Sequence, residues 1–221
     1  MKPEFRHERK YYLSAQTAAV IKSRVASVLP RDKHNNGSYW VHNVYFDDIW
    51  RTAYSAKLRG ALVRDKYRIR YYNNDLSFIR LENKHKEGEL AYKISMQLNM
   101  AQYETLCAGG LPSGLGTLES DFTRLYTVNG LRPVVAFCYH REAFSFPAGD
   151  VRITFDSQMP LGSSHGIMEL KFTHFLPTFV RDLITGMPLI VSENSKYNKT
   201  YEWNLLTNGF SPLKYREGCI L

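Results

Sequence analysis

Short runs in which apolar and charged residues alternate dominate this chain, and they predict strands more often than helices. Residues 66–86, KYRIRYYNNDLSFIRLENKHK, read as two strands joined at Asn73-Asn74-Asp75, a turn-forming cluster. Lys66, Arg68 and Arg70 fall on one face of the first strand, and Tyr67, Ile69 and Tyr71 on the other. Arg80, Glu82, Lys84 and Lys86 share a face of the second, opposite Ile79 and Leu81. If the charged faces coincide, six cations surround one carboxylate, an arrangement that destabilises a sheet unless water or a polyanion offsets it.

The same alternation recurs along the chain. Glu4 to Tyr12 begins as a strand with Glu4, Arg6, Glu8 and Lys10 on one face, and Ser14 is an N-cap for a helix running to about Leu29, closed by Pro30. Tyr39 to Phe46 is an aromatic and β-branched strand. Asp47 or Asp48 then caps a short helix that Gly60 closes. Beyond the hairpin, Glu89 to Ile94 is a strand carrying Lys93. Helical spacing returns between Asn99 and Gly130, as an insertion between two sets of strands. Val134 to Phe144 carries Arg141. Val151 to Asp156 places Arg152, Thr154 and Asp156 opposite Val151, Ile153 and Phe155, and Ile167 to Phe172 places Glu169 and Lys171 opposite Met168, Leu170 and Phe172. A closing helix is predicted from Phe175 to Ile184, and Ser192 to Lys199 is a polar loop containing Ser195-Lys196-Tyr197. The pattern describes one domain over residues 1–207 and a tail over 208–221.

Eight strands of this kind predict an α+β protein built on an eight-stranded antiparallel β-barrel with flanking helices. Its charged faces turn inward around a lumen and its apolar faces outward under the helices. Such an inverted barrel requires a highly charged ligand.

Composition narrows the ligand. The formal net charge is +8 over 221 residues, which points to an anionic partner. The three cysteines, Cys107, Cys138 and Cys219, lack metal-type spacing and argue against a disulfide framework, in keeping with a reducing compartment. The charged opening MKPEFRHERK has no apolar signal core, the ending is not a prenylation box, and no stretch approaches the roughly 20 apolar residues of a membrane helix, so a soluble, cytoplasmic protein is expected.

Arg6, Arg68, Arg70, Arg80, Arg141 and Arg152, with Lys10, Lys84, Lys171 and Lys196, would face few acids, and phosphate oxygens are the natural complement to so many cations. A divalent metal would bridge those oxygens and a carboxylate: Glu169 first, Glu8 second, with Glu82 or Asp156 as helpers. Phosphoryl transfer asks for positioning and charge neutralisation, which these residues supply. No P-loop, Gly-rich dinucleotide loop or HExxH motif occurs, and His7, His85, His140 and His174 are scattered. Removing Arg68 or Arg152 is expected to relieve repulsion and leave the free protein at least as stable.

Taken together, ERKYY, VYFDD with Tyr54 and Leu58, RIRYY, RLENKHKEGELAYK, YHREAF, VRITFD, MELKF and SKY occur in an order that resembles the polyphosphate-polymerase (VTC) domain of the triphosphate tunnel metalloenzyme (CYTH-like) superfamily, over about residues 4–203. The resemblance implies a tunnel that binds ATP, triphosphate or polyphosphate with Mn²⁺ or Mg²⁺. It implies catalytic phosphate contacts from Lys10, Arg68, Arg70, Lys84, Arg141, Arg152 and Lys196, metal coordination by Glu169, and further phosphate contacts from Ser195 and Tyr197. Arg6 stands where the wider superfamily opens its Glu-x-Glu-x-Lys motif, which tilts the site from two-metal hydrolysis toward holding a chain. The leading expectation is transfer of the γ-phosphoryl of ATP onto a growing polyphosphate. Tripolyphosphate or nucleoside triphosphate hydrolysis, with Glu8 retained, and a non-catalytic polyphosphate-binding subunit are the alternatives. Nucleic acid is not expected as a partner, whereas a membrane-protein partner is compatible with the family.

Overall fold

A computed structural model describes residues 5–159, 166–192 and 195–208. In chain order its elements are β1 (Arg6–Leu13), α1 (Ala15–Val28), β2 (Ser38–Asp47), α2 (Thr52–Leu58), β3 (Val63–Tyr72), β4 (Asp75–Glu87), β5 (Leu90–Leu98), α3 (Met100–Cys107) and α4 (Glu119–Val128). They continue with β6 (Arg132–Phe146), β7 (Val151–Ser157), β8 (Gly166–Phe172), α5 (Thr178–Asp182), β9 (Ile190–Val191) and α6 (Lys196–Asn208). Hydrogen bonding orders the strands β5-β4-β3-β2-β6-β7-β8-β1-β9, and β5 also pairs with β1 through Arg6↔Ala91 and His7↔Leu90. The antiparallel strands with flanking helices expected from the alternation are present, and β9 is a ninth, two-residue addition to the eight.

The described residues group into two compact units, one of residues 5–40, 89–91 and 139–192 and another of 41–88, 92–138 and 195–208. In the first unit Ser14 starts α1, its Oγ accepting from the Thr17 amide at 3.1 Å. Thr17, Ile21 and Val25, four residues apart, form the buried face of the helix. That face joins Ile153, Phe155, Met168, Leu170 and Phe172 in one apolar core. The apolar alternates of β7 and β8 are thereby committed to the core, which turns Arg152, Thr154, Asp156, Glu169 and Lys171 to the opposite face. Gly37, at φ +68°, lies so close to β6 that a Cβ would meet the Ala143 oxygen at 2.4 Å. That approach lets the Asp32 amide donate to the same oxygen at 2.9 Å.

In the second unit Asn73 and Asn74 adopt φ of 50° and 59°, the left-handed pair that a two-residue hairpin turn requires. Register then pairs Lys66 with Lys84, Arg68 with Glu82 and Arg70 with Arg80, so the charged faces of β3 and β4 coincide. Behind them Ile69, Ile79 and Leu81 are fully buried against Tyr103 and Leu106 of α3 and Phe122 of α4. Phe122 meets Phe46 and Tyr67 edge-on, with ring centroids 5.5 and 5.4 Å away. The segment 99–130 thus covers the apolar side of the hairpin.

Two expectations change. The helix foreseen over 175–184 is only α5, because Pro177 is extended (ψ 140°) and the turns after Asp182 tighten to bonds three residues apart, Ile184 to Arg181 and Thr185 to Asp182. The foreseen polar loop at Ser195-Lys196-Tyr197 is instead the start of α6: the Ser195 Oγ accepts from the Asn198 amide at 3.1 Å, as an N-cap does. Among the described residues Cys107 is a free thiol. Among the described residues no helix is long and apolar enough to cross a membrane.

Candidate functional site

In the first unit, four strands bring ionised residues onto one face. Their order is fixed by register: Arg141 faces Asp156, Thr154 faces Glu169, Arg152 faces Lys171, and across the next pair Lys171 faces Glu8 and Glu169 faces Lys10. Side chains opposite one another in antiparallel strands point the same way, so these groups converge. Lys10 Nζ lies 2.6 Å from Glu8 and 3.6 Å from Glu169. Lys171 Nζ is 3.5 Å from Glu169 and 3.8 Å from Glu8. Arg141 is buried and forks onto Asp156, Nε and Nη2 donating at 2.6 and 2.7 Å, and sits 3.6 Å from Glu169. Burial opposes its charge, but Asp156 outweighs this and holds its pKa well above the usual arginine value.

Glu169 is pressed from both sides. Burial and the Glu8 carboxyl, which lies within hydrogen-bond reach, push its pKa up; Lys171 and Lys10 prevail and hold it below the ordinary glutamate value. Arg152 donates through Nε to Asp32 at 2.7 Å and through Nη2 to the Tyr39 hydroxyl at 2.6 Å. Arg6 bonds the Asp150 carbonyl at 2.6 Å and its carboxylate at 3.0 Å.

The second unit holds the other cationic face. Glu82 is fully buried and accepts from Arg68, with Nε and Nη2 both at 2.7 Å, and from Lys93 at 2.6 Å. Burial works against its charge, yet Arg68, Arg70 and Lys93 hold its carboxyl far below the usual range. Arg70 donates twice to Asn43 Oδ1, at 3.0 and 2.8 Å. Arg80 reaches Ser95 and lies 4.4 Å over the Phe78 ring. The Tyr45 hydroxyl accepts from Arg68 Nη1 at 3.0 Å. Burial raises the Tyr45 pKa, and the charges of Arg68, Arg70 and Lys84 more than reverse it.

At α6 the Ser195 Oγ donates to Asn198 Oδ1, and both accept from Lys66 Nζ at 2.9 Å. Tyr197 is buried, its hydroxyl donating to Asp47 Oδ2 at 2.6 Å, and burial with the Asp47 charge raises its pKa. Asp47 also accepts the Ala53 and Tyr54 amides at 2.9 and 3.0 Å, while Asp48 accepts the Thr52 amide at 2.8 Å, so both aspartates cap α2. Lys196 stands beside these residues as the first of α6.

Register therefore brings Glu8, Lys10, Arg141, Arg152, Glu169 and Lys171 together in the first unit. It brings Arg68, Arg70, Arg80 and Lys84 together in the second. Asp32, Asn43 and Tyr45 join these clusters without having been singled out in the sequence, and Asp47, expected only as a helix cap, also accepts from the Tyr197 hydroxyl. The period-two run Asn43, Tyr45, Asp47 in β2 carried a readable signal for three of them; Asp32, in a loop, carried none. The supposed relief of repulsion on removing Arg68 or Arg152 is also corrected, since Arg68 neutralises a fully buried carboxylate and Arg152 holds Asp32 and Tyr39.

Several solved structures share this fold. HpAC1 from Hippeastrum, a candidate adenylyl cyclase described as having a dominant triphosphatase activity, is 16% identical with a TM-score of 0.57, covering 96% of this chain and 100% of that one. A protein from Bacillus halodurans assigned as a candidate adenylate cyclase is 16% identical, TM-score 0.52, covering 98% and 96%. The PH1819 protein from Pyrococcus horikoshii is 14% identical, TM-score 0.54, covering 90% and 99%. At these identities the likeness is one of fold. No curated protein matches the sequence. The model of the VTC domain matches residues 5–204, and the chain belongs to that family, as its motifs suggested.

The family implies a divalent metal. The residues present fit one: Glu8 and Glu169 offer hard oxygen donors within reach of each other, and the buried Thr154 hydroxyl on the same face has no hydrogen-bond partner among the described residues. Among the described residues no group of three or more His, Cys, Asp or Glu converges, so phosphate oxygens would complete the coordination.

Proposed function

We propose that this VTC domain is a metal-dependent polyphosphate polymerase. The observation that carries the reading is the hairpin face: Lys66, Arg68, Arg70, Arg80 and Lys84, joined by Lys93, share it with a single buried carboxylate, Glu82. Guanidinium and ammonium groups at this density suit a ligand with several linked phosphates. A terminal oxygen of the growing chain attacks the γ-phosphorus of ATP, the bond from that phosphorus to the β-γ bridging oxygen breaks, and ADP leaves as the chain lengthens by one phosphate.

Lys10, Arg141, Arg152 and Lys171 bind and orient phosphoryl oxygens, and Lys84, Arg68 and Arg70 neutralise the charge of the chain. Lys196, Ser195 and Tyr197 act at the start of α6, Ser195 and Tyr197 chiefly by fixing Lys66 and Asp47. Glu169 and Glu8 would hold a divalent ion, Mn²⁺ or Mg²⁺, which would supply positive charge to phosphate oxygens. Transfer to a chain is favoured over hydrolysis because Arg6, engaged with Asp150, offers no carboxylate, which leaves two acids for one ion.

The test is to incubate purified protein with ATP and Mn²⁺ or Mg²⁺, with and without a short polyphosphate primer, and resolve the products on a gel. A phosphate ladder is expected. Orthophosphate without a ladder would assign a triphosphatase instead, and tight polyphosphate binding without turnover would assign a binding subunit.

A further inference from the structure

Thr154 is 2% exposed, and its hydroxyl makes no hydrogen bond among the described residues. A buried hydroxyl left unpaired is costly, so an orphan of this kind marks a place where something absent from the protein supplies the partner. Its position says what. Thr154 lies directly across from Glu169 on β8 and from Ala143 on β6, and it shares their face. Ala143 contributes only a methyl group, so the hydroxyl and the Glu169 carboxylate border the same space. Valine would fill the β-branched volume equally well and suits a strand better than a hydroxyl without a partner. Core packing alone therefore gives no reason for threonine here.

We infer that Thr154 is a positioning residue of the divalent-metal site: its Oγ1 accepts a hydrogen bond from a water on the ion that Glu169 and Glu8 hold. Mg²⁺ and ions like it shed their water reluctantly, and a site with two carboxylates leaves such waters in place. Partners of this outer kind orient the ion's ligands, and their loss typically costs 10–100-fold in affinity. The inference rests on the metal-dependent reading of the first unit.

The test measures Mn²⁺ binding to the full chain without nucleotide, by the decrease of the free-ion electron paramagnetic resonance signal. Thr154→Val is expected to weaken binding about ten-fold with an unchanged melting temperature in metal-free buffer, and Thr154→Ser to restore it. Glu169→Gln is the reference. If Glu169→Gln weakens binding and Thr154→Val does not, the role of Thr154 is overturned and the metal site stands. If neither changes binding, the metal site itself is wrong. A Thr154→Val protein that binds weakly but also melts early is judged by Thr154→Ser, whose failure to restore affinity would equally overturn the assignment.

Discussion

Replacing Arg68 by alanine separates two opposed views of the hairpin. If repulsion among cations dominates the free protein, its loss is stabilising. The structure gives the opposite sign. Arg68 holds Glu82 through two nitrogens at 2.7 Å, and Glu82 has no exposed surface. Breaking a buried pair on one side costs about 3–5 kcal/mol, because the surviving charge is left without compensation. Lys93 stays on the other Glu82 oxygen at 2.6 Å, which places Arg68→Ala near 3 kcal/mol, at the lower end of that range. For a chain of this size that is a fall in melting temperature of about 6–12 °C. Thermal melts in ligand-free, metal-free buffer measure it. The paired variant Arg68→Met with Glu82→Leu should recover most of the loss, since an apolar pair of similar volume has no buried charge to solvate. An Arg68→Ala protein as stable as the parent, or more so, would refute the role of Glu82 as the hairpin's internal counter-charge.

Other outcomes follow from the same geometry. Asp47→Ala deprives the Ala53 and Tyr54 amides and the Tyr197 hydroxyl of their acceptor, and should cost about 2–3 kcal/mol in urea unfolding while speeding amide exchange in α2 and the start of α6. Phe122→Ala should cost about 3–5 kcal/mol, and an unchanged melting temperature would show that segment 99–130 is an appendage and not part of the core. Glu82 is depressed in the folded state, so its stabilisation is complete above the ordinary carboxylate pKa of about 4.3 and is lost as pH falls below it. Stability measured from pH 6 downward should therefore drop in the parent and drop less in Glu82→Gln. An equal acid limb in both proteins would mean that other carboxylates govern it.

Much of this fold was legible because alternation has only two phases in a strand. Once Ile153, Phe155, Leu170 and Ile69 were assigned to an apolar core, Arg152, Glu169 and Arg68 had only the other face to occupy. The hairpin register was legible for a similar reason, since Asn73-Asn74 fixes a two-residue turn and the turn fixes which cations meet. Counter-charges were less visible. Asp32 reaches Arg152 only because Gly37 lets a loop lie against β6, a contact more than a hundred residues distant in sequence and without periodic signature. The helical start at Ser195 was hidden among polar residues that read equally well as loop, and its capping role becomes evident only when the Asn198 amide is seen to point at it. The ten-residue helix foreseen over 175–184 failed because an apolar spacing does not register that Pro177 holds an extended backbone.

The most direct measurement of the central claim follows the γ-phosphate of ATP itself. ATP labelled at the γ-position is incubated with the protein, Mn²⁺ and a short polyphosphate primer, and the label is partitioned between acid-precipitable chain and free orthophosphate while ADP is counted. Most of the label is expected in the chain, with one ADP formed per phosphate added and loss of both with Arg141→Ala or Lys84→Ala. Label recovered only as orthophosphate, at the same yield of ADP, would contradict the claim.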